Sequence, residues 1–165
     1  ASINTPINNS NLGLGVSFVK DKIGPTNENT ISADLSYTIP TPENFKLSFG
    51  MKATANLFNL NVDKLNPADQ GDPQFQNLRN VFTPNVGAGI YYHSDKAYLG
   101  LSVPNFIQTN RYNDNQVAIF KEKINYYLIG GYVFDLSYDI KFKPAFLTKL
   151  VEGSPLQVDV SANFK

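Results

Sequence analysis

The stretch NVGAGIYYHSDKAYLGLSVPNF, residues 85–106, decides the fold because it holds two strands and the turn between them. Bulky side chains alternate along it with glycine, serine and alanine, and this period of two is typical of β-strands. The tetrapeptide HSDK, residues 93–96, is the predicted turn. Few charged residues on either face could meet water. In a soluble β-protein the bulky face would point inward, whereas in a membrane β-barrel the small face would.

The same alternation extends over most of the 165 residues. It predicts an all-β protein of about eight antiparallel strands with no convincing helix. The predicted strands lie in 11–20, 30–39, 45–57, 86–92, 99–103, 124–134, 140–150 and 156–164. The last is the most regular, because every apolar residue from Leu156 to Phe164 lies on one face.

The connections predict a single domain, 1–165, arranged as an up-and-down meander. Residues 1–10 are expected to be a polar lead-in, and 21–29, 59–83 and 104–122 to be long outer loops. The connections PTPEN, HSDK and DLSYD are short and alternate with the long ones. In a meander, alternate connections lie at the same end, so one rim should carry the loops and the other the tight turns. The short last connection, VEGSP, departs from this pattern.

The composition of the two faces favours a transmembrane β-barrel. The polar faces consist of glycine, serine, threonine and asparagine, and only 17% of all residues are charged, which is low for a solvated surface. The strand lengths suit the roughly 9 to 11 residues that cross a bilayer when tilted. Tyrosine and phenylalanine cluster beside the short turns, with Tyr91, Tyr92 and Tyr98 flanking HSDK, as in an interfacial girdle. A soluble ligand-binding β-barrel and a passive outer-membrane channel remain as alternatives.

The sequence offers little for catalysis, cofactors or metals. Lysine plus arginine equals aspartate plus glutamate at 14 each, so no net charge attracts nucleic acid. Cysteine is absent and His93 is the only histidine, which leaves no thiolate or histidine metal site. Gly87 and Gly89 lack the third glycine and the helix of a dinucleotide fingerprint. We interpret Asp34 and Asp159 as lumen charges balanced by lysines, and we expect no enzyme activity, cofactor or metal.

Four phrases carry a resemblance to a known family. They are NLGLGVSFVKDKIGPTNENTISADLSYTIP, KLSFGMKATANLFNLNVDKLN, NVGAGIYYHSDKAYLGLSVPNF and YYLIGGYVFDLSYDIKFKPAFLTKLVEGSPLQVDVSANF. In this order they resemble the PorP/SprF family of outer-membrane proteins of the type IX secretion system. The resemblance implies a non-enzymatic barrel in the outer membrane of a Gram-negative bacterium, acting in protein secretion and, in some members, gliding motility. Family members are longer at both ends, so it also implies that this chain supplies part of a larger barrel.

The resemblance implies several partners: secreted proteins with C-terminal sorting domains, other type IX secretion subunits, and outer-membrane lipid. No nucleic acid is expected. The long loops combine polar residues with apolar ones, and loops on a rigid scaffold often carry recognition. Packing of these apolar residues onto the barrel mouth is the alternative. The candidate partner-binding residues are Leu65, Phe75, Leu78, Phe106, Ile107 and Phe120.

Overall fold

The computed structural model describes residues 1–8, 10–61, 78–108, 110–112, 118–121 and 123–165. Within these ranges the protein is built from β-strands and one short 3-10 helix, Pro42–Asn44. The strands are β1 (Ser2–Pro6), β2 (Leu12–Ile23), β3 (Thr26–Pro40), β4 (Lys46–Leu60), β5 (Leu78–His93), β6 (Ala97–Val103), β7 (Asn110–Tyr112), β8 (Ala118–Lys121), β9 (Asn125–Tyr132), β10 (Phe134–Asp135), β11 (Lys141–Val151) and β12 (Gln157–Phe164). The predicted all-β class is confirmed. No helix in these ranges is long and apolar enough to span a membrane.

Ten strands form one antiparallel sheet, and β7 and β8 form a separate hairpin. The sheet runs in sequence order from β1 to β6 and continues through β9, β11 and β12. The short β10 continues β9 along β11, since Gly131 pairs with Ala145 and Phe134 with Phe142. Every strand in the main sheet thus lies beside its neighbours in sequence, which confirms the predicted up-and-down order. β1 and β12 lie at opposite edges, and the sheet is not closed.

Two predicted irregular segments are strands. The polar lead-in 1–10 contains β1, whose Asn4 pairs with Gly15 on β2. The predicted outer loop 21–29 is the end of a β-hairpin, in which β2 and β3 stay paired until Ile23 meets Thr26. Apolar alternation does not reveal these strand segments because they are polar, whereas ladder hydrogen bonds require only the backbone. Gly24 has a φ of 56°, a left-handed conformation that glycine adopts readily in tight turns.

Strands also occupy parts of the other two predicted long connections. Between β4 and β5 the strands extend into both ends of 59–83, because β4 ends at Leu60 and β5 begins at Leu78. The connection 104–122 contains the β7–β8 hairpin. These two connections and the shorter β2–β3 and β11–β12 connections share one end of the sheet, here named the loop rim. The opposite end, with the turns at 41–45, 94–96 and 136–140, is named the turn rim.

The two faces of the sheet differ sharply in exposure. Apolar side chains of one face are open, as with Met51 at 66% and Val16 at 57%. On the other face Ser32 is 5% exposed and Asn85 6%. A flat single-layer sheet would expose both faces alike, so the sheet curls with its polar face inward. Among the described residues Val103 is the only buried apolar side chain, and the apolar core that a soluble domain requires is missing.

Candidate functional site

An apolar band covers the outer face of the sheet. On β4 the outward residues from Leu47 to Leu57 alternate with inward polar ones over ten residue steps. At about 3.4 Å per step this is roughly 34 Å along the strand, or about 24 to 28 Å once the strand is tilted by 35 to 45°. The height matches the apolar belt of about 25 Å on transmembrane barrels. This outward placement contradicts the alternative of a soluble barrel with an apolar lining.

Aromatic side chains line the outer face beside the turn rim. Phe45 stacks on Tyr92 with ring centroids 4.7 Å apart. A second series joins the later strands, with Phe142 lying 6.2 Å from Phe134 and 4.7 Å from Phe164. Amphipathic or aromatic rings in this position are typical of membrane interfaces. The prediction that aromatics gather at this rim is confirmed for the outward residues.

Two tyrosines that we expected in this girdle face inward instead. Tyr91 and Tyr98 lie on the inner face, with ring centroids 6.0 Å apart. The Tyr98 ring covers Gly131, where an added Cβ would stand 2.6 Å from a ring carbon, and Tyr91 packs against Gly100 in the same way. The inner face of the later strands is therefore less uniformly small than predicted. Because Gly100 and Gly131 have no side chains, there is space for the two tyrosine rings.

Small polar side chains form cross-strand rows on the inner face of the earlier strands. One row runs through Ser32, Thr54 and Asn85, which are paired in register, and the Ser32 and Thr54 hydroxyls lie 3.4 Å apart. In the next row the Lys52 ammonium stands 3.7 Å from an Asp34 carboxylate oxygen. Lysine thus balances Asp34 as predicted. Asp159 has no cation within 4.0 Å among the described residues, and these residues contain no cluster of acidic or histidine side chains able to hold a metal.

The chain after β6 is fixed against the inner face of β5. The buried Asn85 amide donates to the Ile107 carbonyl at 2.9 Å and accepts from the Ile107 N–H at 3.0 Å. The N–H of Phe106 donates to the carbonyl of Val86 at 2.8 Å. The chain can approach β5 because Gly87 has no side chain, and an added Cβ there would lie 2.2 Å from the Pro104 carbonyl oxygen. The segment from Pro104 to Gln108 is therefore anchored rather than free.

A polar cavity of about 310 Å³ lies beneath this segment. Hydroxyl, amide and charged side chains line it, including Ser32, Lys52 and Thr54 from the inner rows. Thr83 is 3% exposed, and its hydroxyl has no hydrogen-bond partner among the described residues. A cavity with these walls suits water or a hydrated solute and not an apolar ligand.

An ion pair ties the turn rim together. The Lys96 ammonium, in the β5–β6 turn, donates to an Asp135 carboxylate oxygen on β10 at 2.6 Å. This hydrogen bond, with the accompanying charge attraction, raises the pKa of Lys96 above its ordinary value. Both groups are well exposed, so the pair positions the turn more than it stabilises the fold.

The predicted partner-binding residues divide into two groups. Phe106 and Ile107 lie side by side in the anchored segment on the inner side of β5, 44% and 42% exposed. Leu78 begins β5 and Phe120 lies in β8, but their side chains lie outside the described part of the structure, as do residues 65 and 75. The anchor Asn85 was missed, because nothing in a sequence relates an amide to a backbone 22 positions away.

A family model described as the type IX secretion system membrane protein PorP/SprF matches residues 1–165, the whole of the chain. The chain belongs to the PorP/SprF family. The resemblance carried by the four phrases is thereby confirmed. No curated protein and no solved structure matches the chain significantly.

Membership of PorP/SprF agrees with the geometry of the outer face. The family is a membrane component of type IX secretion and not a known enzyme family. A single curled sheet with an exposed apolar band is a structure that lipid, and not water, can cover. Membership of this family implies that its partners include other subunits of the secretion system.

Proposed function

We propose that this PorP/SprF protein is a non-enzymatic β-barrel component of the outer membrane, with the loop rim outside the cell and the turn rim in the periplasm. The rim loops dock secreted proteins through their C-terminal sorting domains, or dock other subunits of the machinery. The apolar band supports the membrane position, because its height fits a bilayer. The aromatic residues beside the turn rim support an interface there.

The observation that carries the docking role is the anchored segment after β6. Phe106 and Ile107 expose apolar side chains on the inner side of β5, in the connection that leads to the loop rim, while Asn85 holds their backbone in place. Anchored apolar side chains bind at a low entropic cost because little order is lost on association. Aromatic anchors in particular tend to dominate binding energy at protein interfaces.

Substitution of both exposed side chains tests this role. We expect Phe106→Ser with Ile107→Ser to reduce co-purification of secretion partners at least tenfold and to lower secretion of the cargo. The matched control is Ile140→Ser at the turn rim, since Ile140 is similarly exposed at 49%. Normal partner recovery and secretion in the double variant, at equal protein level, would contradict the docking role.

A passive channel is the second candidate function. The polar inner face and the polar cavity under the anchored segment favour water inside the curled sheet. Single-channel recording of the purified protein in a planar bilayer distinguishes the two functions. A steady open pore favours the channel, whereas a closed protein that still binds partners favours docking.

A further inference from the structure

The outer face of the main sheet carries two charges, Lys20 and Lys22, among the strand residues whose side chains are described. All other outward positions in that set are apolar, hydroxyl or amide residues. Both lysines belong to β2, and the alternation of the strand places them on the same face as Val16 and Phe18. Neither lysine has a carboxylate oxygen within 4.0 Å of its ammonium nitrogen among the described residues, so the two like charges form no internal ion pair there.

The position of the two lysines relates them to the edge of the apolar band. On β2 the band ends at Phe18, and Lys20 is the next outward residue. In register, Lys20 lies opposite Asn29, and Lys22 lies opposite Asn27. Beyond Phe18, toward the loop rim, the outer face of this hairpin therefore presents two ammonium groups and two amides.

The neighbouring acids do not neutralise this surface. Asp21 and Glu28 alternate with these residues and therefore belong to the inner face. The Asn27 carboxamide oxygen is buried and has no hydrogen-bond partner in the described structure. The two ammonium groups are therefore left open to an anion from outside the protein, because no acidic side chain lies on the outer face of the described strands.

We infer that Lys20 and Lys22, with Asn27 and Asn29, form a binding surface for the phosphate groups of anionic lipids at the loop rim. An ammonium beside the apolar belt meets lipid phosphates at headgroup depth, where long side chains extend out of the hydrocarbon. The acyl chains of a lipid would cover the apolar side chains below the lysines. Its negatively charged phosphate would then lie beside the two ammonium groups, so charge complementarity favours a lipid phosphate. The inference rests on the membrane position in the proposed function.

Lipid binding by the purified protein in detergent tests the inference. One double variant combines Lys20→Gln and Lys22→Gln. The control double variant combines Lys141→Gln and Lys143→Gln, which lie on the inner face. Phosphatidylglycerol is titrated in, and bound lipid is counted by native mass spectrometry. We expect about fivefold weaker binding for each outward lysine removed, no loss in the control, and less difference between the proteins in high salt.

Other outcomes are equally informative. Equal affinity of the two double variants for phosphatidylglycerol overturns the lysine surface. Competition by inorganic phosphate as strong as that by the lipid overturns the lipid assignment in favour of a free-anion site. Membrane fractionation of all variants keeps the two proposals apart: an aqueous protein contradicts the membrane position itself, whereas a membrane-embedded protein with unchanged lipid affinity contradicts the lysine surface alone.

Discussion

At the scale of single residues, glycine and asparagine on the inner face of β5 determine where the chain after β6 can lie. Asn85 supplies a donor and an acceptor to the same backbone unit, Ile107. Gly87, two residues further along the same face, supplies the space. Asn85 binds the segment and Gly87 leaves room for it, so both must be present for Phe106 and Ile107 to be held against the inner side of β5.

A side chain at Gly87 should displace this segment. We expect Gly87→Ala to destabilise the protein by about 1 to 3 kcal/mol, the usual cost of overpacking, because the new Cβ would meet the Pro104 carbonyl oxygen. The control is Gly50→Ala, where the nearest atom to an added Cβ is 4.0 Å away. Urea unfolding in lipid vesicles measures the stability. Faster amide exchange at Ile107 reports the loss of the anchor, and equal stability of the two variants would contradict the steric argument.

At the scale of strands, alternation of apolar and small residues predicted most of the strands and most of their outward residues. It failed where a strand is polar on both faces, as in β1 and in the paired ends of β2 and β3. The ion pair at Asp34 was predictable because the alternation places Lys52 on the same face of the neighbouring strand. The anchor at Asn85 was not, because its partners depend on how a loop returns to the sheet.

The face assignment predicts opposite effects for neighbouring positions on β3. Leu35 lies on the outer face in the middle of the apolar band, and Ser36 is the next residue, on the inner face. We expect Leu35→Arg to cost about 2 to 4 kcal/mol in vesicle folding, because the charge enters hydrocarbon. Ser36→Arg should escape this lipid penalty. Equal costs for the two variants, in thin and in thick bilayers alike, would argue against the assignment of Leu35 to the outer face and Ser36 to the inner face.

At the scale of the whole molecule, an open sheet whose described residues form no apolar core needs an apolar solvent to cover its outer face. In the proposed membrane position lipid covers the outer face, while both edge strands, β1 and β12, keep unpaired backbone groups on one side within the described structure. Unpaired edges in hydrocarbon are costly. The two edges are thus the positions at which additional strands would complete a barrel.

The exposed apolar band predicts how the protein behaves on extraction. We expect it to stay with the membrane pellet through washes with high salt and alkaline carbonate, and to be released by detergent. A peripheral protein of the same cells, released by carbonate, is the control. Recovery of folded protein in the aqueous fraction after the carbonate wash is the result that this structure does not allow.

The tight turn at Gly24 also bears on the order of assembly. Because each strand of the main sheet pairs with its neighbours in sequence, its contacts are local, and local contacts favour rapid folding. Closing a short loop costs less chain entropy than closing a long one, so the β2–β3 hairpin should form before β4 and β5 pair across their longer connection. The hairpin that carries Lys20 and Lys22 would then be paired before the two halves of the sheet join across the β4–β5 connection.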